Sequence, residues 1–212
     1  MTPGELHANW LGAWHALGVD SPDDGLFDAL CAAYSEPHRA YHTLQHLGEC
    51  LDHLSREAAA AERPAEVALA LWFHDAFYDV HRGDNEQRSA DWAAQAMIDA
   101  GVAREQAARV HRLVMATCHD VLPEGADAEL LIDIDLAILG ADTARFAEYE
   151  RQIRHEYAHI APDIFEPRRQ GILGRFLARA PLYRTAPMRE RLEAQARRNL
   201  ATAISSGERP AA

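Results

Sequence analysis

Leu44-Gln45-His46-Leu47-Gly48-Glu49-Cys50-Leu51-Asp52-His53-Leu54 sets its leucines three, four and three residues apart. That spacing gathers side chains on one face of an α-helix. The same period runs outward in both directions. Upstream, Leu6, Trp10, Leu11 and Trp14 form one stripe, and Leu26, Phe27, Leu30 and Tyr34 form another. The second opens on Ser21-Pro22-Asp23, a capping residue followed by a first turn. Downstream, Pro64 opens a helix through Val67, Leu71, Trp72 and Phe73. Residues 85–100 make a further helix stopped at Gly101, and 104–117 carry Val110, Leu113 and Val114 on one face. Residues 127–139 are apolar except for acidic positions and read as a buried helix ended by Gly140. Asp142-Thr143 begins a helix reaching about His159, and Pro162 and Pro187 introduce two more. No alternating run bounded by turn residues occurs, so the expectation is an all-α chain without a sheet.

The 212 residues suit one domain, and neither a composition shift nor an internal repeat marks a boundary. Residues 1–204 are expected to form that domain and 205–212 a flexible tail. With 48% hydrophobic and 25% charged residues the composition is globular. A net charge of −12 argues against a nucleic acid polymer as partner, because a phosphate backbone calls for a basic stripe. Lysine is absent, which removes the P-loop and Schiff-base chemistry. None of the 12 glycines falls in a G-x-G arrangement, which removes the dinucleotide fingerprint. Cys31, Cys50 and Cys118 form no C-x-x-C pair, and the odd number suits reduced thiols in a cytoplasmic setting. The expectation is a chain without a signal peptide, and the longest apolar run, Val67 to Phe73, falls far short of the ~20 residues of a membrane span.

Histidine is the unusual residue, with 12 copies, several beside carboxylates. Four segments place ionisable groups among apolar neighbours: Tyr41-His42-Thr43-Leu44-Gln45-His46, Leu71-Trp72-Phe73-His74-Asp75-Ala76-Phe77-Tyr78-Asp79, Thr117-Cys118-His119-Asp120, and Asp133 with Asp135 in the 131–139 helix. His42 and His46 are four apart and share one face if both are helical. A buried carboxylate is costly unless paired or bound to metal. Taken singly, each segment is more often a satisfied core histidine or a salt-bridged acid than a ligand. Their order and type together carry the functional reading.

That order, His … His-Asp … Asp along an all-α chain, resembles the HD-domain superfamily of metal-dependent phosphohydrolases. Tyr-His-x-Leu-x-His, Leu-Trp-Phe-His-Asp-Ala-x-Tyr-Asp, Asn85-Glu86 with Ser89-Ala90, and Asp-x-Asp-Leu-Ala-Ile-Leu-Gly are similar to a family of small bacterial predicted HD phosphohydrolases. Ile153-Arg154-x-Glu156-Tyr157 and Ala196-Arg197-Arg198-Asn199-Leu200 extend the likeness over about residues 39–202. The resemblance implies an HD-type helical bundle holding a divalent metal through His46, His74, Asp75 and an aspartate of the 133–135 stretch. Asp133 and Asp135 point about 200° apart on a helix, so one of them reaches a given metal, and the resemblance selects Asp135. A mixed imidazole and carboxylate set suits Mn, Fe, Co, Ni or Zn, and Mg less well. His42 occupies the position that in cyclic-nucleotide phosphodiesterases protonates the leaving oxygen. Asp79 resembles the water-orienting acid of guanosine tetraphosphate hydrolases. Glu86 is a candidate second acid or base, with a helix-dipole role as its alternative. His119 is a candidate substrate or second-metal contact. Arg39, Arg82 and Arg154 are candidate phosphate contacts, since arginine is the only strong cation present.

His155-Glu156-Tyr157-Ala158-His159 also spells the zinc-peptidase pattern. Composition alone yields such a match in about one chain of this make-up in twenty, and Pro162 ends its helix soon after. The expected activity is therefore hydrolysis of a small phosphorylated molecule, plausibly a nucleotide. A non-catalytic metal- or nucleotide-binding regulator is the alternative from another class, with the peptidase behind it.

Overall fold

In a computed structural model, residues 1–118 and 123–207 are described, the last two of them by backbone alone. They are helical, with no strand among the described residues. The helices are α1 (Pro3–Ala16), α2 (Asp24–Ala33), α3 (Leu44–Glu57), α4 (Pro64–Phe73), α5 (Asn85–Asp99), α6 (Arg104–Met115), α7 (Ala126–Asp135), α8 (Thr143–Glu156), α9 (Pro162–Ala178) and α10 (Ala186–Gly207). No helix among the described residues is long and apolar enough to cross a membrane.

Side-chain caps set four of the starts, those of α1, α2, α3 and α8. Thr2 and Glu5 make a reciprocal capping box on α1, and Asp142 accepts from the amides of Ala144 and Arg145 at the start of α8. Proline opens α4 and α9 in the first turn, where its missing N–H costs nothing. Three boundaries differ from the sequence reading. Asp23, not Ser21, caps α2 by accepting from the Gly25 amide. The 127–139 helix is α-helical only to Asp135 and tightens to a 3-10 turn over Leu136–Gly140. The C-terminal helix runs to Gly207, past the expected start of a tail at Ser205; residues 208–212 lie outside the described ones.

Contacts divide the chain into two compact units, Met1–Ile134 and Asp135 onward, and the division falls inside α7, at no shift of composition. In the first unit α4 packs against α1, α3, α5 and α6. Every residue of α4 from Glu66 to Phe73 is buried. Trp10, Trp14, Phe27, Trp72 and Phe73 form an aromatic cluster, and the Trp72 indole donates to Asn9 Oδ1 at 2.9 Å. Glu66 is the exception on this helix. Its carboxylate is 3% exposed and takes a two-pronged bond from Arg109 at 2.7 and 2.6 Å, which meets the requirement that a buried charge be paired.

In the second unit α10 packs on α9 and on the Leu136–Gly140 turn. Asn199 donates to the carbonyls of Leu139 and Ala141, and the Tyr183 hydroxyl to that of Leu136. Gly140 sits where α10 approaches most closely. A Cβ there would meet Leu192 Cβ at 2.7 Å, its carbonyl oxygen at 2.9 Å and the Tyr183 hydroxyl at 3.0 Å. Gly140→Ala is therefore expected to destabilise the protein by about 1–3 kcal/mol, the usual cost of overfilling a packed site. Thermal unfolding measures it, and an unchanged melting temperature would contradict the close approach.

Candidate metal centre

His46 and His74 arrive from different helices. His46 is on the buried face of α3, in its first turn, and is 2% exposed. His74 follows the last residue of α4, and its Nδ1 lies 2.7 Å from the Leu71 carbonyl oxygen. A carbonyl can only accept, so Nδ1 carries the proton and Nε2 keeps its lone pair. The two Nε2 atoms are 3.1 Å apart. Asp75 adds Oδ2 at 3.0 Å from His74 Nε2 and 3.5 Å from His46 Nε2. Tyr34 supports this end of α4: its hydroxyl accepts from the Asp75 amide and donates to the Leu71 carbonyl.

Three donor atoms form a triangle with edges of 3.0, 3.1 and 3.5 Å. Ligands about 2.1 Å from one transition metal stand about 3.0 Å apart at right angles and about 3.4 Å apart at tetrahedral angles. The triangle fits one shared cation. Asp75 Oδ2 is buried yet makes no hydrogen bond of acceptable geometry. Such an atom is expensive unless something positive faces it. The electrostatics agree. Burial pushes the Asp75 carboxyl up, but the imidazoles of His74, His42 and His46 beside it outweigh burial and hold the group well below the usual carboxylate range. Two imidazoles and a carboxylate make a mixed nitrogen and oxygen donor set.

Cys50 is the residue that sequence reasoning missed. With His46 and His74 it makes a buried group whose donor atoms all lie within 4.8 Å of one another and can hold a metal ion. Its position one turn after His46 on α3 was the available signal. Cys50 Sγ stands 3.7 Å from Nδ1 and 3.8 Å from Nε2 of His46. A sulfur sharing a metal with Nε2 would be clearly nearer that nitrogen, so this placement is beside the ring rather than on its lone-pair axis.

His42 joins the group by a route other than the expected one. Helix α3 starts at Leu44 with Thr43 as an extended N-cap, so His42 precedes the helix and does not share a helical face with His46. Its ring stacks on Tyr78 at 4.1 Å between centroids and lies 6.0 Å from the His46 ring, and it contributes to holding the Asp75 carboxyl low.

Arg39, expected at a phosphate, is buried and turned inward onto Glu36 and three main-chain carbonyls. Those contacts commit its guanidinium to the protein itself rather than to an outside anion. Arg82 makes a fork onto Asp84 on the surface, and Arg154 bonds the carbonyls of Tyr157 and Ile160 past the end of α8. Asp79 Oδ1 accepts from the His81 amide in a local turn. Around it, Asn85 takes the Asp79 amide and returns a bond to its carbonyl, and Ser89 accepts from the Phe77 amide, which ties the segment after Asp75 to α5. Glu86 occupies the first turn of α5, where a carboxylate complements the helix dipole. His119 lies outside the described residues. Asp133 is buried in the part of α7 that belongs to the first unit, whereas half-buried Asp135 opens the second. In the peptidase-like stretch α8 ends at Glu156, so His155 and His159 do not share a helical face, and both are exposed.

Comparison with known protein families, with curated proteins and with solved structures finds no match to this chain.

Proposed function

We propose that this protein is a metal-dependent phosphohydrolase, cleaving a phosphoester or phosphoanhydride of a small molecule such as a nucleotide. His46, His74 and Asp75 hold one divalent metal. The observation that carries the reading is the triangle of donors with its buried, unbonded Asp75 oxygen. Three protein ligands leave coordination positions open, the arrangement of catalytic rather than structural sites. A divalent metal there supplies activated water and polarisation of a phosphoryl oxygen at neutral pH.

The chain's own groups do the rest. Asp75 brings negative charge, and the Leu71 carbonyl holds His74 in the tautomer that presents Nε2. His42, fixed against Tyr78 beside the triangle, protonates the leaving oxygen through a ring N–H. The net charge of −12 disfavours a polymeric nucleic acid as substrate. Nitrogen and oxygen donors favour Mn, Fe, Co, Ni or Zn over Mg.

The test is hydrolysis of a panel of phosphomonoesters, phosphodiesters and pyrophosphates by the full chain, loaded in turn with each of these metals. Phosphate or alcohol release that is abolished by chelation and restored by metal is the expected result. A metal-loaded protein that is silent across the panel yet binds nucleotides would replace this reading with the regulator.

A further inference from the structure

Arg39 is the most heavily committed polar side chain beside the centre. It is 0% exposed. Its Nε donates to Glu36 Oε2 at 3.0 Å, and Nη2 lies 3.0 Å from the same oxygen. Nη1 donates to the carbonyls of His42 at 3.2 Å and Asp75 at 2.6 Å, while Nη2 donates to that of Ala76 at 3.0 Å. Four hydrogen bonds and the ion pair with Glu36 thus commit the guanidinium on all sides. The Tyr34 and Tyr78 rings stand 5.4 and 5.5 Å from its Cζ, and Tyr78 is the ring on which His42 stacks.

These bonds join two irregular segments. His42 lies before the N-cap of α3, and Asp75 and Ala76 lie past the end of α4, so no helical ladder sets one against the other. A single planar fork holds the main chain of both. We infer that Arg39 is a positioning residue: it sets the His42 imidazole relative to the Asp75 carboxylate without touching metal or substrate. Its leverage on His42 is double, through the carbonyl it binds and through the Tyr78 ring that it faces. Lysine cannot replace it, because an ammonium has three donors and no plane to span three carbonyls and a carboxylate. Displacement of an acid by about 1 Å costs on the order of 10²-fold in rate.

The catalytic consequence rests on the phosphohydrolase reading; the placement of His42 does not. The experiment uses the zinc-treated full chain, labelled with 13C-histidine, as wild type, Arg39→Lys and Arg39→Ala. In wild type the Tyr78 ring displaces the His42 ring-proton resonances upfield. Arg39→Lys is expected to keep its helical circular dichroism and zinc content but lose that displacement. Arg39→Ala is expected to regain it in millimolar guanidinium, which refills the vacated site. Turnover in Arg39→Lys should drop about 10²-fold on an ester with a poor leaving group, and little on a nitrophenyl ester, which needs no acid. A merely structural role would lower both alike. An undisplaced His42 signal in wild type, or a displaced one kept in Arg39→Lys, overturns the inference, as does unfolding of both variants. If wild type hydrolyses no ester, the phosphohydrolase reading fails while the His42 resonances and their guanidinium rescue still decide the role of Arg39.

Discussion

His74→Ala is expected to strip the protein of metal, with affinity falling by well over ~10²-fold, because even an outer-sphere partner is worth 10–100-fold. His74 Nε2 is the corner where the two shorter edges meet, 3.1 Å from His46 Nε2 and 3.0 Å from Asp75 Oδ2. Without it, the other two donors are separated by 3.5 Å and nothing bridges them. His46→Ala and Asp75→Asn should behave alike, the second because an amide oxygen lacks the charge that the buried site supplies. Activity should vanish with the metal in all three. Cys50→Ser is the discriminating control. Its sulfur is equally far from both His46 ring nitrogens, so the serine variant should keep its metal. Elemental analysis of the purified variants decides the matter. Metal lost from Cys50→Ser but retained in Asp75→Asn would move the centre to the His46, Cys50, His74 group. Metal kept at full occupancy in His74→Ala would remove the centre altogether.

His42→Ala is expected to retain the metal and lose about 10²–10⁴-fold in turnover on an ester with a poor leaving group, the usual contribution of a general acid. Its ring reaches the centre from outside the ligand triangle, held by a stack on Tyr78 at 4.1 Å. A nitrophenyl ester, whose leaving group departs as an anion, should be turned over almost normally. Kinetics on the two substrates separate the acid from any loss of binding. Equal losses on both would assign His42 to binding or to support of the fold, and no loss on either would remove it from the mechanism.

Much of this architecture is local in origin and was legible in one dimension. The leucine spacing of α3, Pro64 at the start of α4, Gly101 after α5 and Asp142 at the start of α8 each act within a turn or two, so the chain alone specifies them. His46, His74 and Asp75 were legible as candidates because their residue types and apolar surroundings are local too. His42 and His46 would share a face only if both were helical, and an equally local feature prevents that. Thr43 takes an extended conformation and accepts from the Gln45 amide, so the helix begins two residues after His42. The peptidase-like stretch failed similarly, since α8 stops at Glu156.

What the residues became depended on partners distant in sequence. Glu66 reads as an interruption of an apolar helix until Arg109 reaches it from α6. Arg39 reads as a surface cation that suits phosphate, yet it is buried by carbonyls from the segment after α4. Gly140 shows its need for a missing side chain only when Leu192 packs on it. Periodicity and caps are set by neighbours along the chain, and these alone determined the all-α class and most helix starts. Burial and hydrogen-bond partners are set by neighbours in space, so only the tertiary structure decided which donors converge, that Arg39 turns inward, and that His42 stacks on Tyr78.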